Sequence, residues 1–108
     1  MRTFNKLVRD NIPSIIENNN EVAITRILND DEYRNELYKK LIEEANEVIS
    51  SKTTKETLEE LADVLEVIIA ISKLEIKNLD DVIAIANQKR LKRGGFDKRI
   101  FLEKTYKK

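Results

Sequence analysis

One helical segment constrains this chain more than any other. Between Thr53 and Leu74, residues Leu58, Leu61, Leu65, Ile68 and Ile69 recur at helical spacing along one side. Val64, Val67 and Ile71 make a second stripe on roughly the opposite side. A helix that is apolar on two sides is buried between neighbours. A chain of 108 residues has few helices with which to cover both faces. The pattern therefore predicts an antiparallel helical bundle completed by a homodimer or a higher homo-oligomer. With two Gly, one Pro and 37% charged residues, against about 25% charged in an average globular protein, long helices are favoured over a turn-rich β fold.

The flanking segments agree. Asn29 with Glu32 three residues on predicts a capping box and a helix to about Ile49. Ser50 to Thr53 form a short polar break, and Thr53 with Glu56 repeats the capping pattern at the head of the two-sided helix. A further helix starts near Asn78 to Asp80, carries Leu79, Val82, Ile83 and Ala86 at helical spacing, and stops at Gly94-Gly95. Pro13 ahead of Ile15 and Ile16 predicts a short helix over about residues 12 to 18, and Asn18-Asn19-Asn20 a turn. Val22, Ile24 and Ile27 suggest a short strand, as do Ile100 to Leu102. The expected fold class is thus all-α, with short strands towards the termini. Phe4, Tyr33, Phe96 and Phe101 are expected in the core, with stacking on a base as the alternative. At this length one domain over residues 1–108 is expected.

Two absences narrow the chemistry. The chain has no Cys, which excludes disulfides, thiolate zinc sites and cysteine nucleophiles, and no His, which removes the usual neutral-pH proton shuttle and imidazole metal ligands. Any metal must accept oxygen ligands, which points to Mg²⁺ or Mn²⁺. The 20 basic and 20 acidic residues balance, so net charge gives no reason to expect a nucleic acid polymer or an anionic membrane as partner. The longest apolar run, Leu61 to Ile76, is broken by Asp63, Glu66, Lys73 and Glu75 and predicts no membrane span. Met1 to Lys6 lacks an apolar signal core, so a cytoplasmic protein is expected.

The acidic residues are not scattered. Glu43-Glu44-Ala45-Asn46-Glu47 lies near the end of the first long helix, and Glu60-Leu61-Ala62-Asp63 lies early in the next. Glu44 and Glu47 are three apart, as are Glu60 and Asp63, so each pair shares a helix face. Glu44 falls within the stripe of Leu37, Leu41 and Val48; Glu60 aligns with Val64, Val67 and Ile71. Across an antiparallel hairpin with a break at 50 to 53, Glu44 and Glu60 come within about 2–3 Å of the same height. Four carboxylates can therefore converge between two helices. Like charges there repel, and burying one costs several kcal/mol unless it is paired. A divalent cation removes both penalties; the alternative is a solvated acidic face.

Glu-Glu-x-x-Glu, 12 intervening residues and Glu-x-x-Asp resemble the signature of the MazG-type all-α nucleoside triphosphate pyrophosphohydrolases. That superfamily includes phosphoribosyl-ATP pyrophosphohydrolase and dimeric dUTPases. Ala86-Asn87-Gln88-Lys89 with Arg93 resembles the Asn-x-Lys-x-x-x-Arg stretch of MazG proteins, and Lys6-Leu7-Val8-Arg9-Asp10-Asn11-Ile12-Pro13 resembles the start of a stand-alone house-cleaning subgroup. The resemblance implies Mg²⁺-dependent cleavage of a canonical or damaged (d)NTP between the α and β phosphates, giving a monophosphate and pyrophosphate. It implies Glu44, Glu47, Glu60 and Asp63 as metal ligands.

With no His, water must be activated by a carboxylate or by the metal itself, and Glu43 and Glu47 are the candidates. Lys89, Lys92 and Arg93 are expected to form a phosphate clamp with Asn87 contacting substrate; a solvated helix end is the alternative. Lys6 and Arg9 reach phosphates if the N-terminus folds over the site, and otherwise pair structurally. Phosphoribosyl-ATP hydrolysis and a non-enzymatic dimeric helical interaction module are the competing functions.

Overall fold

A computed structural model describes all 108 residues, Met1–Lys108. It contains four helices and no strand: α1 (Ile12–Asn18), α2 (Asp30–Ser50), α3 (Thr54–Leu74) and α4 (Leu79–Arg93). Each long helix starts where a polar side chain takes up free N–H groups. Asn29 Oδ1 accepts from Glu32 N at 2.9 Å and Glu32 Oε1 returns to Asn29 N at 3.5 Å, closing the capping box expected for α2. Asn78 and Asp81 make the equivalent box on α4, at 2.9 and 3.1 Å. On α3 the box is only half formed. Thr53 Oγ1 accepts from Glu56 N at 3.1 Å, but the Glu56 carboxylate takes the N–H of Lys52 at 2.8 Å.

The helix ends are equally local. α1 closes through Asn20 at φ 64°, a conformation Asn tolerates. α3 closes through Ile76 at φ 56°, with Ile76 N bonded to Lys73 O and Lys77 N to Ser72 O, both at 3.1 Å. That is a Schellman closure with a β-branched residue where glycine is usual, so the turn is strained. α4 ends on Gly94 at φ 82°, whose N–H bonds Arg90 O at 2.8 Å.

α2 and α3 pack as a hairpin joined by the three residues Ser51, Lys52 and Thr53. Leu37 of α2 and Val67 and Ser72 of α3 are its buried residues, and the Ser72 hydroxyl donates to Ile69 O at 2.7 Å. The loop end is held by Ser51 Oγ, 2.7 Å from the Thr57 hydroxyl. The far end is held by Arg34, whose Nη1 lies 2.6 Å from Glu75 and 3.1 Å from the Tyr38 hydroxyl. α4 meets the end of α3 at a cleft lined by Ile68, Ile71, Ser72, Val82 and Ile85.

Two expectations are corrected. Residues 22–27 and 100–102 are not strands. Both run without regular structure, because each short apolar segment lacks a second segment with which to form a ladder. The aromatic residues do not build a core: Phe96 is 98% and Phe101 86% exposed, Phe4 is exposed, and only Tyr33 is half-buried. The three phenylalanines sit in termini without regular structure and are all exposed.

Much apolar surface stays open as a result. The chain exposes 10384 Å², whereas a compact monomer of 12.6 kDa exposes about 6,200 Å². Its radius of gyration is 18.6 Å, against about 13 Å for a compact domain of this length. Leu58, Leu61 and Leu65, one stripe of the two-sided helix, are 62%, 47% and 43% exposed. No helix is long and apolar enough to cross a membrane.

Candidate metal centre

The α2–α3 hairpin sets the register of the acids. Glu44 lies six residues before the end of α2 and Glu60 six residues after the start of α3, which at 1.5 Å per residue places both about 9 Å from the connection. Asp63, one turn further along α3, stands beside Glu60 on the same face. One carboxylate oxygen from each of Glu44, Glu60 and Asp63 lies within 4.8 Å of the other two, and all three residues are half-buried.

Crowding leaves an electrostatic trace at Glu60. Loss of solvent around it, followed by the charges of Asp63, Glu47, Glu44 and Glu59, raises its pKa above the ordinary carboxylate value. Two cations offset part of the cluster's charge. Arg9 Nη2 sits 2.6 Å from Asp63 Oδ1, bringing the N-terminal segment onto α3. Lys40 Nζ lies 3.7 Å from Glu44 Oε1 and 3.4 Å from Glu43 Oε1. The Glu44 side chain is only 16% exposed, so its half-buried Lys40 neighbour is part of the site.

The donor set fits a hard divalent cation. Mg²⁺ takes oxygens at about 2.1 Å, so octahedral partners stand about 3.0 Å apart when adjacent and about 4.2 Å apart when opposite. The donor oxygens, all within 4.8 Å of one another, stand near the longer of these spacings. Three carboxylates from two helices, with no nitrogen or sulfur donor, make an all-oxygen set of the kind hard divalent cations take.

The other residues singled out in the sequence are placed differently. Glu47 is exposed and its carboxylate lies outside the three-residue group, although its charge is felt at Glu60. Glu43 faces Lys40. Lys6 lies over the Phe4 ring, 5.8 Å from its centroid, rather than at the acids. Asn87 is exposed on α4. Lys89, Lys92 and Arg93 line a separate open cleft of about 510 Å³ with Ile85, Gln88 and Leu91, and none of them pairs with the acidic cluster. Sequence reasoning misses Lys40, although its place three and four residues before Glu43 and Glu44 is a signal that could find it. Compared with protein-family models, curated proteins and solved structures, the chain has no match.

Proposed function

We propose that the chain is a Mg²⁺- or Mn²⁺-dependent nucleotide pyrophosphohydrolase that cleaves a (d)NTP, canonical or damaged, between its α and β phosphates. One observation carries the reading: carboxylate oxygens of Glu44, Glu60 and Asp63 gathered within 4.8 Å across two helices. Glu44, Glu60 and Asp63 would hold the metal, with Glu47 one turn from Glu44 as a further donor. When bound, the ion supplies positive charge against the phosphate oxygens and the leaving pyrophosphate. The resemblance of Glu-Glu-x-x-Glu and Glu-x-x-Asp to the MazG-type signature supports the same chemistry.

Hydrolysis requires a water oxygen to bond the α phosphorus while the bond from that phosphorus to the α–β bridging oxygen breaks. The water proton needs an acceptor. Glu47 is the better placed of the two candidates, because it is solvent-exposed and unpaired, while Glu43 is held by Lys40. Lys89, Lys92 and Arg93 bind phosphate in this reading, with Asn87 on substrate.

The reading includes self-association into a homodimer or a higher homo-oligomer. Its support is the surface of about 4,200 Å² that the chain exposes beyond a compact monomer of its mass. Release of pyrophosphate from a panel of NTPs, dNTPs, modified nucleotides and phosphoribosyl-ATP, with Mg²⁺ or Mn²⁺, tests the activity. Metal-dependent turnover of a nucleoside triphosphate is the expected result. Turnover of phosphoribosyl-ATP alone reassigns the substrate, and no release from any member overturns the enzyme reading in favour of an interaction module.

A further inference from the structure

The balanced net charge conceals a division along the chain. Nine of the 20 basic residues lie in the last 20 positions, opposed there only by Asp97 and Glu103, so residues 89–108 carry +7 and residues 1–88 carry −7. The last 15 residues interleave cations with Phe96, Ile100, Phe101, Leu102 and Tyr106, all largely exposed. Beyond the Gly94 cap on α4, no hydrogen bond or ion pair joins this arm to another element of its own chain. On α3, the exposed Leu58, Leu61 and Leu65 stripe is flanked on one side by Lys55, Glu59 and Glu66, all exposed and none in an ion pair.

We propose that residues 94–108 of one copy dock on the Leu58–Leu61–Leu65 stripe of a second copy, and the second copy's arm on the first. The proposal rests on the self-association given above and names the element that supplies it. Charge complementarity selects the occupant. Two stripes packed on each other would bring together two bodies of −7 each. The arm, with five cations against Asp97 and Glu103, instead brings Lys98, Arg99 and Lys104 towards Glu59 and Glu66 between apolar side chains that match the leucines. Length is sufficient, since 15 extended residues reach about 50 Å. Area is sufficient too: a stable interface buries about 800 Å² on each partner, well inside the surplus the chain exposes.

The absence of cysteine gives a clean test. Full-length Leu65→Cys and Ile100→Cys variants are mixed, allowed to exchange subunits and oxidised, and the dimer constant is followed by sedimentation. Mixed disulfides between the two variants should exceed both homodisulfides. Lys98→Glu with Arg99→Glu should weaken the dimer at least tenfold, and adding Glu59→Lys with Glu66→Lys to that same chain should restore it. Dominant homodisulfides of the Leu65→Cys variant, from stripe-to-stripe packing, overturn the proposal. An intramolecular disulfide in a chain carrying both substitutions, from an arm on its own stripe, does so too. A dimer untouched by the charge reversals overturns arm exchange while leaving self-association standing, and a monomeric wild type overturns both.

Discussion

Glu60→Gln is the most informative single change, because it acts on the metal-bound and metal-free states in opposite directions. In the wild type, binding to the native state alone adds RT ln(1 + [L]/Kd), about 2.7 kcal/mol at a hundredfold excess of Mn²⁺ over Kd. At about 4–8 °C per kcal/mol for a chain near this size, the melting temperature should rise by about 11–22 °C. Glu60 provides one of the three converging carboxylates, and Gln keeps the shape while removing the charge. If affinity falls about a hundredfold, the same Mn²⁺ concentration leaves about 0.4 kcal/mol, or about 2–3 °C.

Without metal the sign reverses. The folded-state pKa of Glu60 lies above its ordinary 4.5, so the folded chain binds more protons than the unfolded one between those values. Its contribution therefore makes the wild type gain stability as pH falls from neutral towards 4.5. Gln lacks that dependence, so in chelator at pH 7 the variant should melt above the wild type, with the gap closing as pH falls. Differential scanning calorimetry at fixed protein concentration, with EDTA and with Mn²⁺, reads all of this. Equal Mn²⁺ shifts in both proteins, or a variant less stable in EDTA at pH 7, would refute the reasoning.

Arg9→Gln removes the cation that competes for Asp63 Oδ1, so titration calorimetry should show Mn²⁺ binding severalfold tighter; unchanged affinity means that the ion pair lies outside the metal's reach. Ile76→Gly relieves a left-handed β-branched residue with an exposed side chain and should stabilise by about 1 kcal/mol in urea melts, the left-handed cost less the entropy of glycine; a loss of stability would show that the Ile76 side chain packs. Leu37→Ala empties one of the few buried positions and should cost about 2–5 kcal/mol, with a cost below about 1 kcal/mol placing the hairpin core elsewhere.

The helices are legible because their signals are local. Asn29, Thr53 and Asn78 each start a helix through a side chain that bonds the backbone three residues on, and Gly94 ends one through a dihedral angle. The heights of Glu44 and Glu60 follow from rise per residue, and the structure places both in one cluster with Asp63. Contacts between segments far apart in sequence carry no such signal. The sequence offers Arg9 either a phosphate or a structural partner, but nothing local to it names Asp63, 54 positions away, as that partner. Val22, Ile24, Ile100 and Phe101 look like strand or core residues by composition alone. A strand needs a second strand and a core needs a facing surface, and neither requirement is written in the segment itself. Apolar content outside the α2–α3 hairpin is therefore the least reliable guide.

The three residues between α2 and α3 set how the sequence can drift. The acids converge only because Glu44 and Glu60 are equally far from that connection, and the Ser51–Thr57 contact and the Arg34–Glu75 pair hold the hairpin at both ends. Inserting one residue within α3 ahead of Glu60 would turn the carboxylate by about 100° and lift it by about 1.5 Å, carrying it off the shared face. A residue inserted at 21–25, ahead of the Arg26 pair with Glu32, would leave the register of Glu44 against Glu60 untouched, since that run lies outside the hairpin. Length can therefore change before α2 without shifting Glu44 against Glu60, and almost not at all between them.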